Sequence, residues 1–211
     1  MADKISFGET TFLSHSEFNE SEDREIFARA RIHQFSQSVL SAQAWFQIAD
    51  EVITAMDLLE PHVESFWNSV RAVFLGGKSD MAPTPQKWEN PSKHSLINQH
   101  MMLAGFAIEN LCKGYLAGRL TPEERDAVRS GILPKSLRIH DILKLVEQTG
   151  MKLSDTEKFL LNRITDAVLW RGRYPSAVSH EWIRPFAQIG SDIRHIKRLL
   201  QKVRRHVGAK C

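Results

Sequence analysis

Between its two ends the chain is written in helical period. Phe35, Val39, Ala42, Phe46, Ala49, Ile53 and Met56 recur at alternating four- and three-residue steps, the spacing that lines one seam of a helix. Trp45, Ile48, Val52, Ala55 and Leu59 widen that seam into a band, and together they predict a long helix over 32–59. Pro61 follows, where a proline either starts a new helix or kinks the old one. Val63, Phe66, Trp67, Val70 and Phe74 then carry an apolar face onward to Gly76-Gly77.

From 76 to 93 the period vanishes. Pro83, Pro85 and Pro91, with Ser79 and Asn90, predict a loop that is long for a compact domain, and Trp88 is the one residue suited to pin it. A second long helix is expected over 94–117, with Ile97, Met101, Ala104, Ile108, Leu111 and Tyr115 on its seam. Its other side is not conventionally polar, because Met102 and Phe106 project there beside Glu109 and Lys113. A helix apolar on two sides needs two covers: its own bundle, and either a further helix of the chain or a second subunit.

Shorter helices are announced by their caps. Thr121-Pro122-Glu123-Glu124 and Ser154-Asp155-Thr156-Glu157 read as capping boxes, and Asp141 can cap a helix that Gly150 closes. The helix opened by Ser154 buries Leu160, Leu161, Ile164, Ala167 and Val168 and ends at Arg171-Gly172. A last helix over 190–207 places Ile193, Ile196, Leu200, Val203 and Val207 on one seam. No stretch alternates like a strand. The expected fold is all-α, an antiparallel bundle of four to five long helices with shorter connecting ones. Its parts are an acidic N-terminal segment (1–31), the first helices (32–75), the proline-containing loop (76–93) and a helical core (94–207).

Composition narrows the class. With 211 residues, 42% of them apolar and 25% charged, the chain can bury a sizeable core. Two cysteines, Cys112 and Cys211, exclude a disulfide scaffold and a cysteine-built zinc site. The opening Met-Ala-Asp-Lys-Ile lacks the apolar stretch of a signal peptide, and the most apolar run, Met101–Ile108, is far short of the ~20 residues that span a bilayer. A cytoplasmic protein with no membrane partner is expected. Charge is polarised: residues 1–25 hold seven acids and residues 190–211 hold seven bases. The two ends could neutralise each other, or the basic end could meet phosphates, but a solvated helix face is the first reading.

Candidate chemistry is sparse. There is no phosphate loop, nucleophile elbow or metalloprotease helix, and His94 and His100 are poorly spaced for a shared metal. His140-Asp141 reads first as a capping aspartate with a histidine beside it. Glu109 and Lys113 form an i,i+4 pair that partial burial would turn into an orienting element. Trp170-Arg171-Gly172-Arg173-Tyr174-Pro175, followed by His180, holds the parts of metal-free RNA cleavage. Arginines bind phosphate, a histidine moves protons and aromatic rings stack on bases. The same residues also suit a helix terminus where arginines satisfy carbonyls and Tyr174 packs on the bundle.

Three stretches in order, Ala104–Lys113 (AGFAIENLCK), His140–Leu145 (HDILKL) and Arg171–Pro175 (RGRYP), resemble the HEPN superfamily over roughly 94–207. The resemblance implies a compact helical bundle, commonly a homodimer, found among endoribonucleases, toxins of toxin–antitoxin pairs and defence proteins. Many are paired with a nucleotidyltransferase-like partner, and some are catalytically inactive interaction modules. It implies Arg173 and His180, six residues apart between them, as the catalytic pair, with Arg171 and Tyr174 on RNA or nucleotide phosphate. Glu109 and Lys113 would shape the cleft, and neither cofactor nor metal is implied.

Overall fold

Ser41 divides what the apolar seam joins. Its hydroxyl accepts the Ala44 backbone N–H at 3.1 Å, capping a new helix. The Trp45 indole N–H donates to the Val39 carbonyl at 3.0 Å and closes the helix before it. In the computed structural model, which describes residues 20–76, 92–171 and 192–209, the helix expected over 32–59 is therefore two. These are α1 (Glu20–Leu40), which reaches back into the acidic segment, and α2 (Ala42–Gly76), which runs through Pro61.

The rest follows the caps. α3 (Ser92–Ala117), α4 (Pro122–Arg129), α5 (Ile142–Gln148), α6 (Asp155–Asp166) and α7 (Asp192–Val207) complete an all-α bundle, with no strand among the described residues. A 3-10 turn at Lys135–Leu137 and a π-helical turn at Ala167–Arg171, which prolongs α6, were not foreseen. Both capping boxes form. The Thr121 and Ser154 hydroxyls accept the N–H of Glu124 at 3.2 Å and of Glu157 at 3.3 Å, and both glutamates reach back to the cap backbone. Asp141 accepts the Lys144 N–H at 3.0 Å, and Gly150, at φ +78°, closes α5.

α3 is the axis. Its late residue Gly114 abuts Phe46 near the start of α2, while its early residue Ile97 clusters with Val63 and Phe66 further along α2, so the two helices run antiparallel. α6 and α7 are antiparallel as well, because Glu157 pairs with Lys202 and Arg163 with Asp192. α3 also touches α5, α6, the π-helical turn and α7. Ala104, Ala107, Ile108, Leu111 and Cys112 are completely buried, and Met102 and Phe106 on the other side are half-buried against the same core. Part of the second cover that this helix needs is thus supplied by its own chain. Among the described residues no helix is long and apolar enough to cross a membrane.

Gly105 is where α3 and α6 come closest. A Cβ there would collide with Val168 Cγ2 and sit 2.9 Å from Ile164 Cγ2. Elsewhere in a helix, glycine-to-alanine gains about 0.5–1 kcal/mol. Here overpacking reverses the sign, and Gly105→Ala is expected to lose about 1–3 kcal/mol in urea denaturation. A stabilised variant would show that the two backbones are not in close approach.

Candidate functional site

The first two motifs meet in space. Glu109 and Lys113 lie one turn apart on α3, and both are buried by the packing around that helix, with side chains 10% and 5% exposed. Lys113 Nζ donates to Glu109 Oε1 at 2.6 Å and stands 5.9 Å from the centroid of the Trp45 ring. His140, just ahead of α5, brings its Nδ1 to 3.0 Å from the same Oε1, although its own side chain is 60% exposed. A carboxylate can only accept, so Nδ1 carries the hydrogen and Nε2 remains the atom able to take up or release a proton. The second carboxylate oxygen, Oε2, is buried with no hydrogen-bond partner among the described residues.

This Glu–Lys–His cluster joins a buried charge to an exposed, titratable ring. Sequence reasoning named Glu109 and Lys113, recognised Asp141 as a cap and placed His140 in a motif of the resemblance, but it gave that histidine no role in the site. The missing signal was spatial: nothing in local spacing says that residue 140 returns to residue 109. Cys112, on the same helix, is no nucleophile. Burial, helped by the Glu109 charge, pushes its thiol up to about 12.

The third motif begins where α6 ends. Val168 of the π-helical turn packs on Gly105 of α3, and Arg171 closes that turn half-buried. Burial pulls the Arg171 guanidinium below its ordinary value and the Asp166 charge opposes the pull. Arg173, Tyr174 and His180 lie outside the described residues, as do residues 77–91 with Trp88. The chain is next described at Asp192, which α6 holds firmly. Arg163 grips Asp192 with two bonds, Nη1 to Oδ2 at 2.7 Å and Nη2 to Oδ1 at 2.8 Å, with side chains 11% and 7% exposed.

The basic C-terminal helix is partly neutralised, and by the body of the protein. Lys197 pairs with Glu60 at 2.6 Å and Arg204 with Asp50, both acids of α2, while Lys202 pairs with Glu157 of α6. His100 is buried near the Lys197–Glu60 pair, and desolvation lowers its pKa against the pull of Glu60 and Asp57. Among the described residues no three His, Cys, Asp or Glu side chains are grouped to hold a metal. Comparison with protein-family models, with curated proteins and with solved structures finds nothing that matches this chain.

Proposed function

We propose that this chain is a HEPN-like helical protein that binds RNA or a nucleotide and cleaves RNA without a metal. The observation that carries the reading is the bond between His140 and Glu109, 31 positions apart in sequence, which joins two of the three motifs of the resemblance. The π-helical turn that ends at Arg171, the first residue of the third motif, lies against the helix that bears the first, which supports the reading.

In this reading a base removes the proton of a ribose 2′-hydroxyl, whose oxygen attacks the adjacent phosphorus. The bond to the 5′-oxygen breaks, an acid returns a proton to that oxygen, and a 2′,3′-cyclic phosphate and a 5′-hydroxyl are left. His180 is the acid or base, Arg173 stabilises the charge on the pentavalent phosphate, and Arg171 and Tyr174 hold the strand. The rival is a catalytically inactive interaction module. In its favour, α1 leaves Ile26 and Phe27 62% and 61% exposed.

The test is cleavage of single-stranded RNA in EDTA by wild type, Arg173→Ala and His180→Ala. Wild type is expected to cut, and each variant to lose at least about a hundredfold, the lower end of a general acid–base contribution. Equal activity in all three, or none in wild type, overturns the catalytic reading.

A further inference from the structure

α7 wears its positive charge unevenly. Toward α2, Lys197 and Arg204 are neutralised by Glu60 and Asp50. Toward α6, His195, Arg198, Lys202 and Arg205 follow one another at steps of three, four and three residues, which sets them in a single stripe along the helix. That stripe is one wall of a groove of about 380 Å³ whose other wall is the first turn of α6. The groove has an apolar floor at Leu160 and Leu199 and is edged by the hydroxyls of Ser154 and Thr156.

Its charge balance favours an anion. Among the described residues Glu157 is the single acid lining the groove, and it is already engaged by Lys202, whose Nζ lies 2.7 and 2.8 Å from its two oxygens. Arg198, Arg205 and His195 have no acidic partner among the described residues. The two arginines are exposed, although each could have been satisfied by an acid as their neighbours on the α2 side are.

We infer that this groove is a binding site for the phosphodiester backbone of a single-stranded nucleic acid. From His195 to Arg205 the stripe spans ten residues, or about 15 Å at 1.5 Å per residue. That is long enough to meet more than one consecutive phosphate of a strand. Among the described residues no Phe, Tyr or Trp lines the groove and His195 is its one ring, so it offers little platform for stacking bases and reads backbone rather than sequence. The inference shares its ligand with the proposed function but uses none of Arg171, Arg173, Tyr174 or His180.

The experiment is fluorescence anisotropy of a labelled 12-nucleotide 2′-O-methyl strand, which lacks the 2′-hydroxyl that cleavage needs, between 50 and 200 mM salt. Wild type is compared with Arg198→Ala/Arg205→Ala and with Arg29→Ala/Arg129→Ala, which removes the same charge from exposed ion pairs elsewhere. The groove variant is expected to bind at least tenfold more weakly and to lose about 1.4 from the slope of log affinity against log salt, two contacts' worth. The control should stay within twofold of wild type. Equal losses in both variants, an unaffected groove variant, or no binding by wild type at 50 mM overturns the proposal. Alanine at exposed helix positions keeps the fold, and Arg198→Gln/Arg205→Gln repeats the test with similar bulk. Because no cleavage is measured, an unaffected groove variant leaves the Arg173 and His180 reading standing, and equal cleavage by the Arg173 and His180 variants leaves the groove standing.

Discussion

Lys113→Met is expected to cost about 3–5 kcal/mol, a fall of roughly 6–20 °C in Tm, although it exchanges one long straight side chain for another. The reason is what stays behind. Glu109 Oε1 keeps only His140, and Oε2 is already without a hydrogen-bond partner among the described residues. The carboxylate would then sit in the middle of the bundle with its charge uncompensated by the ammonium now 2.6 Å away. An exposed i,i+4 pair would be worth only about 0.3–0.5 kcal/mol, so the size of the loss reports burial directly. The double variant Glu109→Leu/Lys113→Met removes both charges and is expected to recover most of the stability, because apolar side chains of similar volume often replace a buried pair at little cost. Thermal melts of the wild type, both single variants and the double variant close the cycle. A Lys113→Met loss under about 1 kcal/mol would mean that water reaches the pair.

That contrast bears on why the fold keeps the pair at all. If the apolar double variant is as stable as wild type, stability is not what Glu109 and Lys113 provide. Their contribution is then to hold His140, whose ring is otherwise free to turn at the surface, in one orientation with Nε2 available. Burying a carboxylate under α2 and presenting one histidine outside is a costly way to cap α5, which Asp141 already does. It is a reasonable way to fix the orientation of a surface imidazole.

Helix identity was legible wherever a cap agreed with the period. Thr121, Asp141 and Ser154 mark the starts of α4, α5 and α6 because their side chains have a backbone N–H to satisfy three residues on, a purely local event. Ser41 has the same chemistry but was hidden. Phe35 and Val39 of α1 and Phe46 and Ala49 of α2 stay in phase across it, so the apolar count ran straight through a real break. The cover over Phe106 was equally beyond local reading. Periodicity shows that a helix has two apolar sides but not which partner buries the second, since a neighbouring helix and a second subunit leave the same trace. The candidate site divides in the same way: the Glu109–Lys113 pair follows from four-residue spacing, while the His140 contact and the α6–α7 groove arise from packing of distant segments.

Breaking the Arg163–Asp192 pair is the other large effect expected. The two side chains are nearly buried, joined by two short bonds, and Arg163 also lies 5.1 Å from the centroid of the Phe159 ring. Asp192→Ala takes the paired carboxylate from a nearly buried guanidinium that cannot shed its charge, and the expected cost is about 3–5 kcal/mol. It further removes an acid from the first turn of α7, an interaction with the helix dipole worth about 0.3–1 kcal/mol. Arg163→Met leaves that interaction in place and leaves the Asp192 carboxylate at a helix N-terminus, where a negative charge is better tolerated. The order of stability should therefore be wild type, Arg163→Met, then Asp192→Ala, read from urea denaturation at neutral pH. The same pair ties α6 to the first turn of α7 across the segment that carries Arg173 and His180. On the ribonuclease reading, Arg163→Met should also slow RNA cleavage when assayed well below its own Tm, since both groups are retained but the far end of their segment is no longer anchored. Wild-type cleavage in a destabilised Arg163→Met would confine the pair to a structural role, and reversal of the two variants' order would show that the α7 terminus contributes nothing to holding Asp192.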